Sequence, residues 1–129
     1  MKKISLFLIL LLLYCIIQIQ IGQNIYGDSG GDELGSSASI SSNSNIIALV
    51  APYNSGNGTH SGQVKVYENI GGEWTQLGQN IEGNSADSLI KSVSLSSNGN
   101  ILAVDLTACS QIKLNFFAQN LREVSANLV

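Results

Sequence analysis

The sequence predicts an all-β chain of antiparallel four-stranded units, one complete and one partial, behind an apolar N-terminal helix. Three observations carry this. Two stretches of the body repeat at an offset of 55 to 56 residues. The repeated stretches alternate apolar and polar residues with the period of a strand. Turn residues (Gly, Asn and Ser) punctuate them at short intervals.

At the N-terminus, Lys2 and Lys3 precede an apolar run from Ile4 to Ile17 that only Ser5 breaks. Two positive charges and a short greasy core match the n- and h-regions of a secretory signal. Gln18 and Gln20 interrupt the run before the ~20 apolar residues of a spanning helix. Residues 1–20 are therefore read as a signal peptide, with an uncleaved membrane anchor as the alternative. No Ala-x-Ala stands before Gln18 or Gln20 to mark a cut. Cys15 raises lipidation as a third option, against which bulky Tyr14 stands where a small residue is wanted. Cys109 would be the only thiol of a chain cut after Cys15. It is read as a small apolar residue at a strand end, the alternatives being a free thiol or a bridge between chains.

Residues 21–104 form the repeated body. Ile21-Gly22-Gln23-Asn24-Ile25-Tyr26-Gly27 returns as Leu77-Gly78-Gln79-Asn80-Ile81-Glu82-Gly83. Ser39 to Ala48 returns as Ser94 to Ala103, with apolar and polar positions matched in order. Within the unit, Ala38 and Ile40 alternate with Ser, predicting a half-buried strand with Ala38 and Ile40 inward and Ser39 outward. Asn43-Ser44-Asn45 is a turn. Ile46 to Val50 is a continuous apolar run, as in a strand buried on both faces, and Pro52 ends it. Asn54 to Ser61 is a loop. Gln63 to Tyr67 alternates again, Val64 and Val66 on one face and Lys65 on the other. Gly71-Gly72 makes a hairpin turn, and Trp74 to Leu77 a fourth strand. Four strands joined by short turns and repeated every ~55 residues form a propeller-blade pattern.

Leu34-Gly35, the strand ending Val50-Ala51-Pro52, the Gly/Asn loop and Gly62-Gln63-Val64-Lys65-Val66-Tyr67 resemble an FG-GAP repeat. Such repeats build the β-propeller of integrin α-subunits and of many bacterial surface proteins. The likeness is to the bacterial form, whose units run through a Trp-Thr-Gln-Leu-Gly-Gln strand, as Trp74 to Gln79 does here. It covers about Ile19 to Val104. Leu34 replaces the Phe of the motif, Val50 replaces the Gly before Ala-Pro, and the second copy has Asp105 at the Ala-Pro step.

Residues 105–129 diverge, and no Gly follows Gly99. Gln111-Ile112-Lys113-Leu114 echoes Gln63-Val64-Lys65-Val66. Phe117, Leu121, Val124 and Leu128 fall at helical spacing, so the tail reads either as an amphipathic helix or as unrelated sequence. One blade cannot bury both faces of its sheet. The chain is accordingly expected to be a fragment of a longer protein, a marginally stable β-protein, or a protein that self-associates to supply missing blades.

Charge and composition bound the function. Of the 129 residues, 12% are charged. Beyond residue 20, four basic residues face nine acidic ones, so no basic stretch tracks a phosphate backbone and nucleic-acid binding is not expected. One His and two Cys cannot supply the usual four ligands of a Cys/His zinc site. The resemblance implies a calcium loop at Asn54 to Gly62. Its candidate ligands, Asn54, Asn57 and Thr59, include no carboxylate, so an ordinary turn-rich connection is the simpler reading and no cofactor is expected. Asp28, Asp32 and Glu33 read as a solvated acidic edge. Asn57-Gly58-Thr59 is a glycosylation sequon by pattern. His60 would need a nucleophile and an orienting acid to act as a general base; Ser55 and Ser61 are near in sequence but no triad spacing is present. Trp74 and Tyr67 read as packing residues between blades, or as a stacking pair for a sugar or peptide. The expected function is a non-catalytic, exported recognition or adhesion module with a protein or glycan ligand at the cell surface. The membrane is engaged only through the N-terminal segment. The alternative is a structural repeat without a ligand of its own, and an exported hydrolase is disfavoured.

Overall fold

The computed structural model describes residues 2–16, 19–108 and 111–117. Helix α1 (Lys2–Ile16) takes the apolar run. Its 15 residues extend about 22 Å, short of a ~30 Å hydrocarbon core. Among the described residues no helix is long and apolar enough to cross a membrane. Side chains from Leu6 to Tyr14 are exposed and lie outside the core.

The remaining elements are antiparallel strands in two sheets, with no closed barrel. The first holds β1 (Ser37–Ile40), β2 (Ile46–Ala51), β3 (Gln63–Ile70) and β4 (Glu73–Gln76) in that order, with β5 (Ile81–Glu82) also on β3. Gly71 and Gly72 turn β3 into β4 with φ of 64° and 94°, the left-handed pair that a two-residue hairpin needs. β4 and β5 share one edge of β3. Leu77 continues the β4 ladder by donating to Val66 O (2.7 Å), and Val64 pairs Ile81, so Gly78, Gln79 and Asn80 bulge out opposite Lys65. The second sheet holds β6 (Ile90–Leu95), β7 (Leu102–Ala108) and β8 (Gln111–Phe117). Strand β7 runs across the compositional boundary at residues 104–105. Phe117, read above as the first position of a helix, ends β8 opposite Leu102. Leu121, Val124 and Leu128 lie outside the described residues.

Hairpins β1–β2 and β6–β7 are built by the same bonds. The Ser41 hydroxyl accepts from Ile46 N (3.0 Å) and donates to Asn43 Oδ1 (2.7 Å), which accepts from Asn45 N. Fifty-five residues on, Ser96, Asn98, Asn100 and Ile101 repeat all three. The side chains satisfy backbone groups that the tight turn leaves unpaired. A second recurrence, at an offset of 56, has Gln20 donating to Gly22 O and Asn24 Oδ1, and Gln76 donating to Gly78 O and Asn80 Oδ1. Gly22 and Gly78 share φ = 74°.

The core lies between the sheets. The first contributes Ile46, Ala48, Val50, Val64, Val66 and Ile81, and the second Ile90, Val93, Leu102, Val104 and Leu106. The register places Ser37 and Ser39 on the same face as Val50 and Ala48. This reverses the expectation for β1: Ser37 and Ser39 turn toward the second sheet, while Ala38 is exposed and Ile40 is 52% exposed. The reason is the bonding partner. Ser39 Oγ accepts from Leu95 N (2.9 Å) and Ser37 Oγ from Val93 N (3.4 Å), so the polar side faces the neighbouring strand edge. In β6 the alternation runs as apolarity predicts, with Val93 buried and Ser92 and Ser94 exposed. Strand β2 is buried on its core face only; Ile47 and Leu49 are half-buried.

Candidate functional site

The connections Pro52 to Gly62 and Gly83 to Leu89 lie side by side, joined by backbone bonds from Gly83 N to Gly62 O (3.0 Å) and from Asp87 N to Thr59 O (2.8 Å). Beneath them is a polar cluster contributed by four parts of the chain. Lys65, on β3, points away from the core, on the face expected for it, but is buried. Its ammonium donates to Asp28 Oδ1. Asp28 Oδ2 accepts from Gln63 Nε2 (3.2 Å) and from Asn54 Nδ2 (3.4 Å), and Asp32 Oδ2 accepts from Asn54 Nδ2 (2.8 Å). Gln63 Nε2 also donates to Glu82 Oε1 (3.4 Å), while its buried Oε1 has no bonded partner among the described residues. The Lys65 ammonium, followed by the Gln63 and Asn54 amides, holds the Asp28 carboxyl below its ordinary range.

Of Asp28, Asp32 and Glu33, read as a solvated acidic edge, Asp32 is buried. Glu33 is exposed at φ = 54°, and Asp28, its side chain 49% exposed, is tied to Lys65. Only the folded chain brings Asp28 to Lys65 and Asp32 to Asn54, so nothing local in sequence marks the cluster.

The calcium candidates take part in bonds that hold the loop. Asn54 is buried, its Nδ2 turned to the aspartates and its Oδ1 accepting from Gly56 N (2.9 Å). Asn57 Nδ2, the nitrogen of the sequon, donates to Gly83 O (2.9 Å), and Thr59 O accepts from Asp87 N. Among the described residues no three His, Cys, Asp or Glu side chains assemble where they could hold a metal ion. The two serines near His60 also serve the loop. Ser61 is buried, accepting from Asn57 N and donating to Asn54 O; Ser55 accepts from His60 N and donates to Tyr53 O.

The rim is different. Tyr53, His60 and Asp87 are exposed together. The Tyr53 and His60 rings meet edge to face, centroids 5.4 Å apart at 81°. His60 Nδ1 lies 3.9 Å from Asp87 Oδ1, an ion pair when His60 is protonated. His60 (φ = 50°) and Asp87 (φ = 58°) are both left-handed, a conformation uncommon in non-glycine residues. The sequence marked His60, but its partners come from either side of the chain's β3–β5 ladder.

Trp74 and Tyr67 do not form a pair between the sheets. Trp74 is on β4, where its Nε1 donates to Ile21 O (2.9 Å), its backbone N donates to Gln23 Oε1 (3.0 Å) and its ring lies against Gly22. A Cβ at Gly22 would come within 2.7 Å of that ring. Tyr67 is half-buried on β3, and burial pushes its hydroxyl above the usual range. Cys109 lies outside the described residues. Comparison with protein-family models, with curated proteins and with solved structures finds no match to this chain.

Proposed function

We propose that the chain is a non-catalytic, exported recognition or adhesion module, its two sheets acting as β-propeller blades of the FG-GAP-like kind that the sequence resembles. Its ligand surface is the rim of Tyr53, His60 and Asp87, and its ligand is a protein or glycan at the cell surface. One observation carries this reading: an exposed aromatic ring, an imidazole and a carboxylate stand together on connecting loops. The hydroxyls that could have served as nucleophiles are bonded into the loop beneath. Aromatic faces beside polar groups suit sugar rings and peptide side chains, and rigid scaffolds carry such contacts on loops. Loops bonded to one another and seated on buried polar side chains lose little freedom on binding.

The test is retention of the full chain, in mild detergent, on insoluble cell-wall polysaccharide and on an array of immobilised glycans and matrix proteins. Tyr53→Ala and His60→Ala should each abolish retention while leaving the far-UV dichroism unchanged. Retention that survives both substitutions would refute the assignment of the rim.

Export rests on Lys2, Lys3 and the apolar helix α1. A C-terminally tagged chain should leave the cytoplasm, and Leu10→Asp with Leu12→Asp should hold it there, because each charge is costly in an apolar segment. Full-length soluble cytoplasmic protein would contradict export. A second reading, a structural repeat with no ligand of its own, is favoured by the apolar outer face of the first sheet, where Ile40 is exposed beside Ile47 and Leu49.

A further inference from the structure

The contact between the two sheets has a counterpart 55 residues away on each side, and the residues of both counterparts are exposed. Ser37 and Ser39 Oγ accept from Val93 and Leu95 N, and Ser42 N and Oγ both donate to Ser97 O (2.9 and 2.8 Å). Moved forward by 55, the acceptors become Ser92 and Ser94 and the donor becomes Ser97, all exposed on the far face of the second sheet. Moved back by 55, the partners become the N–H groups of Ala38 and Ile40 and the carbonyl of Ser42, on the exposed edge of the first sheet.

The edge geometry supports the correspondence. Ser41 N donates to Ile46 O and Ser96 N to Ile101 O (both 2.9 Å). Antiparallel pairing alternates, so odd-numbered Ser37 and Ser39 share the phase of Ser41 and bond to β2. Ala38 and Ile40 then direct their N–H groups outward, as Val93 and Leu95 do from β6. The apolar side chains correspond as well: Val93, Leu95, Leu102 and Val104 pack on the first sheet, and Ala38, Ile40, Ile47 and Leu49 stand in their places on its open face.

We propose that a second copy of this chain docks on this face head to tail, Ser92 and Ser94 of one copy accepting from Ala38 and Ile40 N of the next. The contact is heterologous, so it propagates instead of closing as a two-fold dimer. Two positions weaken it. Gly99 lies against Ile46, where a Cβ would come within 2.7 Å of Ile46 Cδ1, and its counterpart on the open face is Ser44, which has one. Buried Val50 has as counterpart Asp105, whose carboxylate loses water on docking. Ser44→Gly and Asp105→Val remove these obstacles.

The experiment is disulfide trapping with the full chain in mild detergent, which shields α1, in a Cys15→Ser, Cys109→Ser background. Ser39→Cys with Leu95→Cys in one chain traps the existing contact as an intramolecular bridge, and its failure to form would overturn the template. Chains carrying only Ile40→Cys are mixed with chains carrying only Ser94→Cys. A cross-linked dimer should form in the mixture and not in either population alone. Ser44→Gly with Asp105→Val should raise its yield several-fold. Equal cross-linking in all three samples, as association through α1 or by random collision would give, overturns the proposal. So does a mixture that stays uncross-linked, which would leave the face to another polypeptide or to lipid.

Discussion

Lys65 and Ser39 behave against their residue types, and each does so because of a partner far away in sequence. Lys65 is buried because Asp28, 37 residues earlier, supplies a carboxylate at its ammonium. The bond lowers the Asp28 pKa, so the unfolded chain binds the proton more readily than the folded one. Stability from this pair is present above the ordinary Asp pKa of ~3.9 and is lost as pH falls through the lower folded value. Asp28→Asn should therefore flatten the acid limb of a plot of unfolding free energy against pH, measured by urea titration between neutrality and pH 3. An unchanged acid limb would dissociate Asp28 from acid sensitivity. At β1, alternation alone would make Ile40→Asp the more damaging change. The fold predicts the reverse, because Ile40 faces solvent and Ser39 satisfies Leu95 N. Ser39→Asp should cost about 1–3 kcal/mol and Ile40→Asp under about 1 kcal/mol in the same titration. The face of Lys65 and the alternation of Val64 with Val66 were legible in the sequence. The burial of Lys65 and the inward turn of Ser39 were not, since both depend on contacts that no local period encodes.

At the scale of the element, turn chemistry was the most readable feature. Gly71-Gly72 made the β3–β4 hairpin, and Pro52 follows the last residue of β2, because both constraints act within a few residues. At Phe117, the first position of the helical spacing, ladder pairing with β7 along all seven residues of β8 prevails over the helical period, whose other positions lie outside the described residues. Strand β5 was not foreseen: two paired residues are too few to show a period. Its position depends on a close approach that only the fold reveals. A Cβ at Gly83 would lie 1.9 Å from the Ser61 carbonyl oxygen, a backbone atom with no room to withdraw. Gly83→Ala should cost about 1–3 kcal/mol and detach the β5 end from the 54–62 loop. Gly72→Ala meets no neighbour within 4 Å and should cost only about 1 kcal/mol, the strain of a left-handed φ. Comparing the two melting transitions checks the difference, and equal costs would contradict the close approach. Of the candidate site, His60 and its loop could be picked out in advance; the Tyr53 and Asp87 contacts, and the bonded aspartates Asp28 and Asp32, required the loops to be brought together.

For the whole molecule, the repeat at 55 residues foretold two similar hairpins, and they share their turn bonds residue for residue. It could not foretell which side of each unit would be covered. Two units that are alike in sequence occupy unlike surroundings: β1 turns its serines inward and exposes Ala38 and Ile40, and β6 turns Val93 inward and exposes Ser92 and Ser94. The core is consequently shared, and neither sheet encloses it alone. Side-chain hydroxyls bonded to edge amides seal the junction, in the place that another strand would fill in a continuous sheet. The most direct measurement of this arrangement is amide hydrogen exchange at two equivalent edge positions, Leu95 and Ile40, in dilute full-length protein shielded by detergent. Leu95 N–H should exchange slowly, protected by Ser39 Oγ and by the packed second sheet, and Ile40 N–H should exchange at the rate of an open edge. Rapid exchange at both positions would contradict a junction between the sheets and would separate them into independent hairpins.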